Sequence, residues 1–174
     1  MRSVRYAVAM SLDGYIAGPQ GEADWIEMDP AVDVAAFFKQ FYAQFDIALM
    51  GRKTYELVGG PIEGMRTYVF SRTLSPSACE GVTVLAENGI EEVRRLRSQD
   101  GRDIWLFGGG GLFGSLAAAR LVDRVELGVM PVLLGEGIPV MSGIRERVKL
   151  KLLETEQSGV GSVSLKYEVA YPDK

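Results

Sequence analysis

The chain has 174 residues, 19 Lys and Arg against 23 Asp and Glu, and 47% hydrophobic side chains; it is long enough for one domain with its own core, and too weakly basic to suggest nucleic acid. It holds no histidine and one cysteine, Cys79, which excludes imidazole bases, Ser-His-Asp and Cys-His sites, most catalytic zinc arrangements and any disulfide framework. No stretch reads as a membrane span or secretory signal, so a cytoplasmic protein is expected, with any hard chemistry left to a cofactor.

Val4, Tyr6, Val8 and Met10 alternate with Arg5, Ala7 and Ala9, which predicts an opening strand with one better-buried face. Ser11 to Gly21 follows as a glycine-punctuated loop carrying Leu12, Tyr15 and Ile16. It either folds onto its own core or forms a mobile flap over a ligand. Asp13, just before Gly14, is expected to accept backbone amides, a structural role that lowers a carboxyl pKa.

Asp29-Pro30 predicts a helix start, with Asp29 as N-cap and Pro30 in the first helical position. Val34, Phe37, Phe38, Phe41 and Phe45 then recur at helical spacing and give that helix an aromatic face. Asp33, one turn before Phe37, has two readings. It serves the helix dipole, or it is a general acid set against an apolar pocket, where desolvation would raise its pKa.

Asp46 to Met50 reads as a second strand, delivering the chain through Gly51 to a helix that opens with Arg52, Lys53 and Thr54 and stops at Gly59-Gly60-Pro61. Adjacent cations at a helix start oppose its dipole, and a bound anion would explain them. Arg66 to Phe70 is a third strand ending in Ser71-Arg72, and Val82 to Leu85 a fourth. Asn88 is expected to cap a helix whose first turn holds Glu91 and Glu92 and whose last turns hold Arg94, Arg95 and Arg97.

Asp103 to Phe107 has the composition of a doubly buried strand and runs directly into Gly108, Gly109, Gly110 and Gly111, then Leu112, Phe113 and an apparent helix to Arg120. The glycines suit a phosphate cradle or a plain tight turn. Arg124 to Met130 is the next strand. The apolar loop Pro131 to Val140 must pack on its own core or on a second subunit, and Val148 to Glu156 and Ser162 to Tyr171 form a closing hairpin.

Taken together, Met10 to Ala17, Leu49 to Glu56, Phe70-Ser71-Arg72, the Gly-Gly turn and Val129 to Pro139 resemble the dihydrofolate reductase-like superfamily. The branch most similar includes the C-terminal reductase domain of riboflavin biosynthesis enzymes. The resemblance runs from residue 4 to about 171, within one domain at 1–174. It implies an α/β fold: a mostly parallel sheet of about eight strands, helices on both faces, and an antiparallel C-terminal hairpin.

It also implies NADPH as cofactor and a homodimer. Gly51, Arg52, Lys53 and Thr54 match the phosphate-holding motif, and Ser71 and Arg72 the segment near the adenosine 2′-phosphate. Gly108 to Phe113 match the pyrophosphate turn, Ile16 and Ala17 the loop beside the nicotinamide. The pocket acid falls at Asp33 or Val34, with Phe37 and Tyr55 as substrate contacts. The expected reaction is hydride transfer to a C=N or C=O bond of a small pteridine-, pyrimidine- or sugar-derived substrate; the alternative is a catalytically silent nucleotide-binding or sensing module. Phe107 stands where the riboflavin branch usually has an acid before the glycines, and its Asp-Asn-Pro segment is missing.

Overall fold

A computed structural model describes residues 1–171; residues 172–174, the end of the domain as read from the sequence, lie outside the described residues. The elements run in the order β1 (Val4–Ser11), β2 (Tyr15–Ala17), α1 (Val34–Tyr42), β3 (Phe45–Gly51), α2 (Arg52–Val58), β4 (Arg66–Phe70), β5 (Val82–Leu85), α3 (Gly89–Ser98), β6 (Asp103–Gly108), α4 (Gly110–Ala118), β7 (Arg124–Met130), β8 (Ile138–Pro139), β9 (Lys149–Gln157) and β10 (Val163–Ala170). Eight strands form one sheet in the order β5-β4-β3-β6-β1-β7-β10-β9. All neighbours are parallel except at β7-β10 and β10-β9, so the closing hairpin is the antiparallel edge.

β1 sits at the centre of this sheet and is buried on both faces, including Arg5 and Ala7. The alternation in the sequence had suggested one better-buried face; an ion pair made by Arg5 explains the difference. One face packs Val4, Tyr6, Ile104 and Leu106 against Val93 and Leu96 of α3 and Phe113 and Leu116 of α4. The other packs Ala7, Ala48, Phe45 and Trp105 against Phe41 of α1.

The first helix begins at Val34, four residues later than Asp29-Pro30 suggested. Asp29 gives its carboxylate to the amides of Ala31 and Gly159, so the chain turns there, and Asp33 becomes the N-cap by accepting from the Ala36 amide at 3.0 Å. The second correction lies at the glycine run. Gly109 is the N-cap of α4, and Gly110 and Gly111 form its first turn; a Cβ at Gly110 would stand 2.5 Å from the Pro139 carbonyl oxygen. Asn88 occupies the N-cap of α3 but makes no capping bond with its side chain.

The Pro131–Val140 loop packs on its own chain. β8 pairs with β2, Leu12 N–H donates to Val132 O, Val140 N–H to Gly14 O, and the Tyr6 hydroxyl to Val140 O. Leu133 alone among its apolar residues stays strongly exposed, at 70%, so this loop no longer requires a second subunit to cover it. Among the described residues, no helix is long and apolar enough to cross a membrane, and no group of three or more acidic or cysteine side chains could hold a metal ion.

Candidate functional site

The parallel order brings the carboxyl ends of β3 and β6 side by side, which is where open α/β sheets place their ligands. There Gly51 lies against the Gly108-Gly109 peptide, its Cβ direction 4.0 Å from Gly108 O and Gly109 N. The peptide itself is cis. A Cβ at Gly109 would be 3.6 Å from Thr54 Oγ1 and 3.9 Å from Ile16 Cδ1. Residues from three separate stretches of sequence therefore meet around a bare backbone.

That meeting point opens into a cavity of about 1090 Å³, whose walls include Ile16, Ala17, Gly51 to Thr54 and Gly108 to Leu112. Small-molecule sites usually run from roughly 300 to 1,000 Å³, so the space suits a cofactor together with a second molecule. Part of its wall is aromatic: Phe37, Phe38, Phe41, Trp105 and Phe107 line it. The Phe41 and Trp105 rings meet edge to face at 5.2 Å, and Trp105 and Phe107 lie 4.4 Å apart. No residue of α1 is fully buried, and Phe37 and Phe38 keep 46% and 38% of their surface exposed. An apolar patch of that kind in a concave wall marks a ligand surface.

One buried ion pair interrupts this apolar chamber. Arg5 of β1 donates to Glu126 of β7 through Nε at 2.6 Å and Nη2 at 2.8 Å, and through Nη1 to Asp103 at 3.3 Å. Burial alone would lower the Arg5 pKa, but the bonds and charges of Glu126 and then Asp103 outweigh it and hold the guanidinium above its ordinary value. Its carbon also lies 4.6 Å from the Phe45 ring centre. A doubly bonded, fork-shaped pair of this kind is rigid. Both partners line the cavity, and neither was singled out from the sequence; the available signal was a charge inside each of two largely apolar strands, Arg5 in β1 and Glu126 in β7.

Other residues expected at the site lie elsewhere. The cavity wall includes Val32 and Phe37 but neither Asp33 nor Val34; Asp33 is exposed and spends its carboxylate on the helix start. Of its two readings, the one at the helix start fits this geometry, with Asp33 capping the Ala36 amide rather than only serving the dipole. Phe113 is in the core, its ring 4.6 Å from that of Tyr6, because the first turn of α4 consists of the glycines and rotates this residue inward. Tyr55 is also outside the cavity wall; partial desolvation and then the neighbouring Cys79 thiol raise its phenol pKa. Ser71 is buried, its hydroxyl accepting the amides of Thr73 and Leu74. Arg72 lines a separate recess with Leu85, Glu87 and Asn88. Arg52 is paired with Glu56 at 3.1 Å, one turn along α2.

Asp13 behaves as the turn chemistry suggested. It accepts from the Ser11 hydroxyl at 2.6 Å and from the Leu134 and Gly135 amides, and these bonds, Ser11 first, hold its carboxyl below the ordinary range. It ties the β1–β2 turn to the loop before β8.

The family model described as the RibD C-terminal domain matches residues 2–164. The chain belongs to the RibD C-terminal domain family. It is 34% identical over 182 residues to the uncharacterized protein YyaP of Bacillus subtilis, across 95% of this chain and 94% of that protein. A solved putative riboflavin biosynthesis protein from Shewanella sp. PV-4 is similar with a TM-score of 0.81 and 23% identity, across 98% of this chain and 100% of that one. A dihydrofolate reductase from Enterococcus faecalis, complexed with NADP(H) and RAB-propyl, reaches 0.74 at 21% identity, across 96% of each chain. At such identities these two structures establish the dihydrofolate reductase-like fold. This RibD C-terminal domain therefore has a reductase-type architecture, with its glycine turn and aromatic chamber on the carboxyl edge of the sheet.

Proposed function

We propose that the chain is an NADPH-dependent reductase that reduces a C=N or C=O bond of a small, flat pteridine-, pyrimidine- or sugar-derived substrate. The observation that carries this reading is the convergence of Ile16, Thr54 and Gly108-Gly109 in the wall of a cavity that aromatic side chains also line. The side-chain-free cradle fits a dinucleotide: Gly109 to Gly111 present backbone amides at the start of α4, and Lys53 and Arg52 add positive charge nearby. Arg72, in its recess beyond β4, would meet a 2′-phosphate. Ile16 and Ala17 would set the position of the nicotinamide ring, and the reduced nicotinamide supplies the hydride when bound.

Phe37, Phe38 and Trp105 would sandwich the substrate and exclude water from the reacting face. Glu126 is already held through both oxygens by Arg5 and Asp33 stands outside, so neither is free to deliver the accompanying proton, which we assign to water admitted to the cavity. Homodimeric assembly in the cytoplasm completes the proposal.

The absence of Asp33 from the wall also favours a second reading, a module that binds the nucleotide without turnover. Titration with NADPH and NADH, followed by NADPH oxidation assays against dihydrofolate, pteridines and ribosylamino-pyrimidines, separates the outcomes. Selective NADPH binding with turnover supports the reductase, selective binding without turnover supports the silent module, and equal or absent binding of both nucleotides refutes the cofactor assignment.

A further inference from the structure

We infer that the substrate of this site carries a neutral, hydroxyl-bearing arm on its flat ring, and that Ser164, Lys166 and Glu156 hold that arm. The inference rests on the reductase reading for the ring and names the rest of the molecule. The cavity floor is one face of the sheet. Strand register puts Trp105 of β6 beside Arg5 of β1, and Ala7 and Ala9 of β1 beside Glu126 and Gly128 of β7. It then puts Glu126 and Gly128 beside Lys166 and Ser164 of β10, and these beside Glu154 and Glu156 of β9. Residues paired in register share a face, and all of these except Glu154 line the cavity. The floor therefore changes across the sheet: aromatic at Trp105, small at Ala9 and Gly128, polar at β10 and β9. A ring held by Phe37, Phe38 and Trp105 leads onto the small strip, and Ser164 stands two strand spacings, roughly 10 Å, beyond Ala9. That span suits a side arm on the ring.

The charges at the polar side decide the chemistry of the arm. Arg5 already engages both oxygens of Glu126. Lys166 has Glu126 on one side in register and Glu154 on the other, and it donates to Glu154 at 2.8 Å. That pair is 38% and 53% exposed, and an exposed pair is held weakly, so Lys166 can turn to a ligand with little loss. The side chains of Ser164 and Glu156 have no hydrogen bond or ion pair among the described residues. Along this part of the floor Glu126, Glu154 and Glu156 outnumber Arg5 and Lys166, so a phosphate or carboxylate tail meets no excess of positive charge and would lie beside Glu156. Hydroxyl groups match instead, because they accept from Lys166, donate to Glu156 and do either with Ser164.

Isothermal titration calorimetry of the full chain with three pterins, and with no nucleotide present, tests this. 6-Methylpterin has no arm, neopterin has a trihydroxypropyl arm, and neopterin monophosphate has that arm ending in a phosphate. Neopterin should bind roughly tenfold more tightly than 6-methylpterin, the worth of about one or two hydrogen bonds, and the phosphate ester no more tightly than neopterin. Ser164→Ala and Lys166→Met should each narrow the gap between neopterin and 6-methylpterin roughly threefold or more, with circular dichroism confirming the fold of each variant. Equal binding of neopterin and 6-methylpterin, no binding of any of the three, tighter binding of the phosphate ester, or a preference that survives both substitutions overturns the inference. Because no nucleotide is present, a failed NADPH assignment leaves this result standing. A wild type that binds NADPH selectively but shows no preference for neopterin refutes the polar floor alone.

Discussion

Replacing Glu126 by Gln should destabilise the protein by about 3 kcal/mol. The side chains of Arg5 and Glu126 are 8% and 10% exposed and meet at 2.6 Å, so solvent screens the pair little. Breaking such a pair by removing one charge costs about 3 to 5 kcal/mol, because the other is left buried and uncompensated. Asp103, 3.3 Å from Arg5 and 30% exposed, still offers the guanidinium a partner, which places the cost at the lower end. For a chain of this length that corresponds to a fall in Tm of about 6 to 12 °C. Urea titration followed by circular dichroism, with melting as a second measure, provides the assay. A paired replacement, Arg5→Met with Glu126→Leu, should recover most of the loss, since apolar side chains of similar volume avoid the desolvation cost. A Glu126→Gln protein within about 0.5 kcal/mol of wild type, the scatter of ordinary surface changes, would refute the claim that this pair is effectively desolvated.

Asp33→Asn should leave stability and NADPH binding unchanged, whereas Asp33→Ala should lose about 1 kcal/mol through the helix cap with cofactor affinity intact in a titration. Gly114→Ala should lower the Tm sharply, because its Cβ would land on the Ser142 carbonyl oxygen and backbone cannot easily yield. At Gly111 the nearest atom is Ser142 Oγ at 3.8 Å, so Gly111→Ala should fold normally and reveal any cofactor contact as weaker binding alone. Asp13→Ala should speed hydrogen exchange at the Leu134 and Gly135 amides that it holds. In the wild type the folded carboxyl is shifted below 3.8, so the tie is present above that pH and lost as pH falls through the folded value; exchange corrected for its intrinsic rate should rise only in that acid range.

Much of the sheet was legible along the chain because β3 and β6 are short apolar runs ended by glycine, and such composition marks a doubly buried strand. The same local chemistry showed the glycine turn, the Arg124–Met130 strand and the structural role of Asp13. Elements settled by long-range contacts were not legible in this way. Asp29 and Asp33 are both good caps, and the choice between them followed from the Gly159 amide, 130 residues away, engaging Asp29. The Pro131–Val140 loop had to pack on its own core or on a second subunit, and only the hydrogen bonds from β2 and Tyr6 place it on its own chain. Neither Arg5 nor Glu126 stands out when each strand is taken alone; only the register that sets β1 beside β7 makes them a buried pair. Local propensity and periodicity are encoded within a few residues, whereas the desolvation of a charge depends on which strand becomes its neighbour, and that the tertiary structure decides.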